Sequence, residues 1–255
     1  MVAISEQKLD QLFKNFRERK VIVLGDLMLD RYIEGTVQRI SPEAPVPVVE
    51  VANEFVRLGG AANVVYNIRS LGAVPVPVGV VGTDSAGEEI IRLLQSLNIE
   101  TDSVIIDSSR PTVMKTRIIA NNQHVVRADW ESRESMTKQI EARVVEEIEK
   151  HLRHADALII EDYNKGLLSK SLIENVIRLA LRSNKIITVD PKFDNFLAYQ
   201  NVTVFKPNRK EIEAALGMHI DSHENLEQAC QLLSEKLNTA YILITLGELG
   251  MFLYE

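Results

Sequence analysis

Ala157-Leu158-Ile159-Ile160-Glu161-Asp162-Tyr163-Asn164-Lys165-Gly166 is a short apolar run that breaks into a polar ending closed by glycine. An apolar run of this length, bounded by turn residues, suits a strand buried on both faces of a parallel sheet. The pattern returns three times. Ile186 to Val189 precedes Asp190-Pro191-Lys192, Val202 to Phe205 precedes Lys206-Pro207-Asn208-Arg209-Lys210-Glu211, and Tyr241 to Thr245 precedes Leu246-Gly247-Glu248-Leu249-Gly250. Open α/β sheets bind ligands beyond the carboxyl ends of their strands, so four polar endings on one rim describe a site assembled strand by strand. That is the layout of an enzyme or a ligand binder.

Upstream, Val21 to Leu24 ends in Gly25-Asp26 and reads as another buried strand. Helical periodicity is expected over Ala61 to Leu71, Ala86 to Leu97 and Thr137 to Leu152, with a strand over Val76 to Val81 and a last one over Met251 to Tyr254. Strands alternating with helices predict one α/β domain over residues 1–255, its sheet mostly parallel with right-handed crossovers. Tyr32 to Ile40, Pro45 to Leu58, Thr112 to Ala120 and Gln123 to Trp130 instead read as extended, with prolines that suit edge strands. These segments, about 32–58 and 112–130, predict a small β-sheet inserted into the body, either a lid over the site or a solvated excursion.

The 255 residues are 45% hydrophobic and 25% charged, proportions that allow one large core. A net charge of −7 offers no basic field for nucleic acid or anionic lipid. Cys230 is the only cysteine, which rules out an internal disulfide and suits a reducing, cytoplasmic setting. Met1 to Phe16 is expected to form an amphipathic leading helix. No run in the sequence approaches the roughly 20 apolar residues of a membrane span.

Gly25-Asp26-Leu27-Met28-Leu29-Asp30 is no dinucleotide loop, and no phosphate loop of the G-x-x-x-x-G-K-[ST] type occurs. Gly59-Gly60-Ala61-Ala62-Asn63 opens a helix where paired glycines permit close backbone approach to a ligand; a plain loop-to-helix junction explains the same residues. Asn208 and Glu211 form a capping-box pattern, and a carboxylate at a rim can also hold Mg²⁺ through water. Thr245-Leu246-Gly247 suits either a nucleotide contact or an ordinary turn.

Together, Gly25 to Asp30, Gly59 to Asn63, Asn208 to Glu211 and Thr245 to Gly247 make the chain resemble the PfkB/ribokinase-type sugar kinases from Lys20 to Glu255. Arg39-Ile40-Ser41-Pro42-Glu43-Ala44-Pro45-Val46-Pro47-Val48-Val49, Lys115 to Ala120 and Asp162 to Gly166 are most similar to the D-glycero-β-D-manno-heptose 7-phosphate kinases. Those bacterial enzymes phosphorylate the anomeric hydroxyl to the 1,7-bisphosphate, on the route to ADP-heptose and lipopolysaccharide.

The resemblance implies a ribokinase-like fold and assigns sugar hydroxyls to Asp30, Gly59, Gly60 and Asn63. It assigns the sugar phosphate to Lys115, Arg117, Arg127 and Lys165, with Asp162 beside them, although Arg127 and Asp129 also suit a surface ion pair. ATP and Mg²⁺ fall to Lys192, Asn208, Arg209, Lys210, Glu211, Thr245 and Gly247, Glu211 meeting the metal through water. A homodimer through the lid is implied as well. The sequence departs from the family in lacking the G-A-G-D segment that follows the nucleotide turn. The catalytic base is therefore expected beyond Glu255, and residues 1–255 alone are expected to turn over little. The leading reading is such a heptose kinase, or the N-terminal kinase half of a bifunctional enzyme with a nucleotidyltransferase; the alternatives are a PfkB-type kinase for another sugar and a non-catalytic sugar-phosphate-binding module.

Overall fold

The computed structural model describes residues 4–255, so Met1 to Ala3 of the expected leading helix lie outside the described residues. In chain order the elements are α1 (Glu6–Phe16), β1 (Lys20–Gly25), β2 (Leu27–Ile40), β3 (Pro47–Gly60), α2 (Ala61–Ser70), β4 (Val74–Val81), α3 (Ser85–Ser96) and β5 (Val104–Ile106). Next come β6 (Val113–Ala120), β7 (Gln123–Trp130), α4 (Lys138–Leu152), β8 (Ala157–Glu161), α5 (Lys170–Arg182) and β9 (Ile186–Asp190). The chain continues through β10 (Val204–Phe205), α6 (Arg209–Leu216), α7 (His223–Leu237), β11 (Tyr241–Thr245) and β12 (Met251–Tyr254).

Eight strands form the body sheet in the order β12-β11-β10-β9-β8-β1-β4-β5. Every pairing in it is parallel except β11 with β12. The apolar runs are continuous because helices cover both faces. Val144, Ile148 and Leu152 of α4 and Ile173, Val176 and Ala180 of α5 pack with Leu158, Ile160 and Ile187. Each of the larger side chains contributes about 1.5–3 kcal/mol when removed from water. A second core joins Val23 of β1 and Leu27 and Leu29 of β2 to Ala61, Ala62 and Val65 of α2 and to Ile90 and Leu94 of α3.

Side-chain caps decide where the helices start. Asp84, Thr137, Ser169 and Ser222 each accept a hydrogen bond from the backbone N–H three residues on. They set the starts of α3 at Ser85 and α4 at Lys138, each one residue from the position the apolar pattern predicts.

β3, β2, β6 and β7 make the separate four-stranded sheet in that order. It is rooted more deeply than the sequence predicts. β2 begins at Leu27 rather than Tyr32, and β3 runs on to Gly60, because Leu27 and Leu29 belong to the core under α2 and α3. The sequence reading does not anticipate β5; three residues on a sheet edge are too few to carry a periodic signal. Cys230 is fully buried on α7. Among the described residues no helix is long and apolar enough to cross a membrane.

Candidate active site

β1 and β8 end side by side, and Asp26 ties that end together. Its N–H donates to the Glu161 carbonyl at 3.3 Å, and its own carbonyl accepts from Ala61 N at 3.0 Å. Its carboxylate accepts from the backbone N–H of Tyr163 at 2.9 Å and of Lys165 at 3.3 Å. One buried residue, through its carboxylate and its backbone carbonyl, therefore positions the loop after β8 against the start of α2. Burial pushes its carboxyl up to about 6, against the pull of those two N–H groups.

The paired glycines serve this packing. Gly60 has φ +54°, and a Cβ there would stand 2.4 Å from the Asp26 carbonyl; a Cβ on Gly59 would stand 2.7 Å from Asp30 Oδ2. Asn63 follows, exposed, in the first turn of α2.

The β registers place the lid residues in two rows. One row across β3, β2, β6 and β7 is Arg57, Asp30, Lys115 and Asp129; another is Phe55, Tyr32, Arg117 and Arg127. Arg117 donates to Asp30 at 2.6 Å with both side chains partly buried. Arg127 holds Asp129 with two bonds, 2.9 and 3.0 Å, on a far more exposed arginine. Lys165, from the body, reaches Glu131 at 2.6 Å. Burial, and then the neighbouring Lys165, hold the Lys115 ammonium below its ordinary value. A cation of the lid and one of the body are thus close enough to repel. Asp162 is turned away from it: its carboxylate accepts the Tyr199 hydroxyl at 2.6 Å and Asn164 N at 2.8 Å, and it is buried.

At the other end of the rim, Asn208 caps α6. Its Oδ1 accepts from Glu211 N at 3.0 Å, and Glu211 Oε2 accepts from Asn208 N at 2.8 Å, a complete capping box. The other Glu211 oxygen is ion-paired with Lys192. A parallel bridge joins Asn208 to Thr245, whose N–H donates to the Pro207 carbonyl at 3.1 Å. Gly247 has φ +64° and open space where a Cβ would be. Arg209 and Lys210 are exposed in the first turn of α6.

Four residues between the two ends escape a reading of the sequence by motif: Glu161, Tyr163, Asp190 and Lys206. Lys206 pairs with Asp190 at 2.7 Å. Lys192 lies 5.8 Å from the centre of the Tyr163 ring. Glu161 is aligned with Asp190 on β9 and is buried. Burial first, and the Asp190 charge second, push its carboxyl up to about 8, while Lys206 and Lys192 pull it back. A displaced carboxyl beside charged partners in a cleft marks a candidate functional group. The signal is present in the polar strand endings; which of their side chains converge is set by strand pairing.

A model of the pfkB family carbohydrate kinases matches residues 18–255. The chain belongs to the pfkB family of carbohydrate kinases. It is 42% identical over 237 residues to the bifunctional protein HldE of Helicobacter pylori (strain J99), covering 93% of this chain and 51% of that protein. HldE of Wolinella succinogenes is 39% identical over 235 residues, covering 92% and 50%. This pfkB chain therefore spans about half the length of the curated relatives it matches. Its fold is that of Escherichia coli phosphofructokinase-2 in complex with fructose-6-phosphate (TM-score 0.73, 16% identity, 93% of this chain and 77% of the other). Arabidopsis thaliana ribokinase complexed with ribose and ATP is similarly close (TM-score 0.69, 18% identity, 93% and 75%). The body sheet and small second sheet are the ribokinase-like architecture expected from the sequence.

Proposed function

We propose that this chain is the kinase segment of an ATP-dependent enzyme that phosphorylates the anomeric hydroxyl of D-glycero-β-D-manno-heptose 7-phosphate to the 1,7-bisphosphate. The observation that carries the reading is the Asp30 carboxylate on β2, held by Arg117 and paired in register with Lys115 on β6. A carboxylate flanked by cationic side chains suits a sugar that presents hydroxyls and a phosphate together. The HldE relatives point the same way, as do two neighbours in fold, one in complex with fructose-6-phosphate and the other with ribose and ATP.

Asp30, Gly59, Gly60 and Asn63 take the sugar, and Lys115 and Lys165 the 7-phosphate, with Arg117 orienting Asp30. Lys192, Asn208, Glu211, Thr245 and Gly247 would hold ATP, with Arg209 and Lys210 at its edge; the open space over Gly247 fits a ligand passing close to the backbone. Bound ATP supplies the phosphoryl group, and Mg²⁺ offsets its charge. Both Glu211 oxygens already have protein partners, so the donor set fits a hydrated ion met through water. Phosphoryl transfer depends on positioning and charge stabilisation, and Lys192 is the cation placed to leave Glu211 for a phosphate oxygen. Pairing of two copies through the lid sheet completes the proposal, and light scattering in solution measures it.

Calorimetric titration with the heptose 7-phosphate, with ribose and fructose 6-phosphate as controls, tests the assignment. Selective binding of the heptose phosphate supports it. Preference for a control sugar keeps the kinase family and overturns the heptose.

A further inference from the structure

We infer that Arg57 is a further phosphate-recognising residue of this site and sets its preference for a phosphorylated sugar over the free one. The inference rests on the sugar-phosphate reading above and adds a residue that no sequence motif marks.

Asp30 is flanked in its row by Arg57 on β3 and Lys115 on β6. Neighbouring strands lie about 4.8 Å apart, so the two cationic side chains spring from points about 10 Å apart with the Asp30 carboxylate between them. Both side chains are long enough to lean over it. The other arginines of this face are committed, Arg117 to Asp30 and Arg127 to Asp129. Arg57 has no carboxylate partner among the described residues. Glu54, the nearest acid along β3, lies on the other face of the strand and pairs with Arg31 at 2.6 Å.

The Arg57 guanidinium is held all the same. Its carbon lies 5.1 Å from the centre of the Phe55 ring and 5.7 Å from that of Tyr32, and those rings stack at 4.9 Å. Aromatic faces orient a guanidinium without occupying its N–H donors, and a planar fork of free donors matches two oxygens of a phosphate. Arg57 also shares with Asn63 and Tyr66 a groove of about 400 Å³ between β3, α2 and α3. A ligand whose hydroxyls meet Asp30 therefore has a free cation on the adjoining strand. Lys115 flanks Asp30 on its other side.

The test compares the wild-type chain with Arg57→Ala and Arg57→Lys in titrations with D-glycero-β-D-manno-heptose 7-phosphate, the unphosphorylated heptose and ATP. Calorimetry and the fluorescence of Trp130, the single tryptophan, placed on the lid strand β7, give two readouts. Arg57→Ala should bind the 7-phosphate at least tenfold more weakly, with the free heptose, ATP and the thermal midpoint unchanged because the side chain is exposed. Arg57→Lys should recover only part of the loss, since an ammonium lacks the fork. Arg57→Ala binding the 7-phosphate as tightly as wild type overturns the inference and leaves the heptose reading standing, as does an equal loss for both sugars. Wild type that ignores the 7-phosphate, or binds both sugars alike, overturns the heptose reading and the inference with it.

Discussion

Replacing Glu161 with Gln should make the protein more stable, and increasingly so as the pH rises. The wild-type carboxyl lies buried at the end of β8, moved from its ordinary 4.5 to about 8 chiefly by burial, with Asp190 adding to the shift. A carboxyl whose folded value is raised contributes stability that is fully present below the unfolded value and is lost as the pH climbs through the folded one. Each unit of separation is worth about 1.4 kcal/mol. Glu161 therefore costs the folded state about 3 kcal/mol at pH 7 and about 4 kcal/mol by pH 8, relative to acid conditions in which it is protonated whether folded or unfolded. The amide keeps the shape and does not titrate. Urea unfolding of both proteins at pH 5, 7 and 8.5 should show a small gap at pH 5 that widens by about 1 kcal/mol or more per unit and then levels. A gap independent of pH would refute the reasoning, because it would mean that Glu161 is already ionised in the folded protein. A Glu161→Gln variant that gains stability and binds ATP less well would show the carboxyl to be kept for function although it destabilises the fold.

Gly59→Ala puts a methyl 2.7 Å from Asp30 Oδ2, and that movable side chain should give way, so sugar-phosphate affinity falls at least tenfold while the urea midpoint barely moves. Equal affinity in calorimetry would detach Asp30 from sugar binding. Asn208→Ala removes the acceptor for Glu211 N and should cost about 1 kcal/mol in urea unfolding; an unchanged midpoint would show the capping box to be energetically idle. Lys192→Met should raise the dissociation constant for ATP about tenfold, the effect of losing one charge-assisted contact, and leave the sugar phosphate untouched. ATP binding unchanged in that variant would take Lys192 out of the nucleotide site.

The strands of the body were legible because a strand covered by helices on both faces must be apolar without alternation. β8, β9 and β11 therefore announce themselves, each closed by the polar residues of the rim. Capping was legible too, since the Asn208 and Glu211 side chains answer backbone groups three residues away. Local spacing says less about where a side chain is aimed. Glu161 and Asp162 are neighbours, but Asp162 serves Tyr199 in the interior while Glu161 faces Asp190, Lys192 and Lys206. The lid rows are less visible still: Asp30 and Arg117 are 87 residues apart in sequence and meet only because β2 and β6 pair in one register. A shift of one residue in that register would turn each side chain to the other face of the sheet.

The chain's own order of apolar and polar residues thus determined the α/β class, the strand endings that carry the rim and the helix that follows Asn208, all of them interactions within a few residues. Tertiary structure alone decided which cations are paired with carboxylates and which stay free, because Arg57, Lys115 and Lys165 acquire their neighbours from strands and loops that only folding brings together.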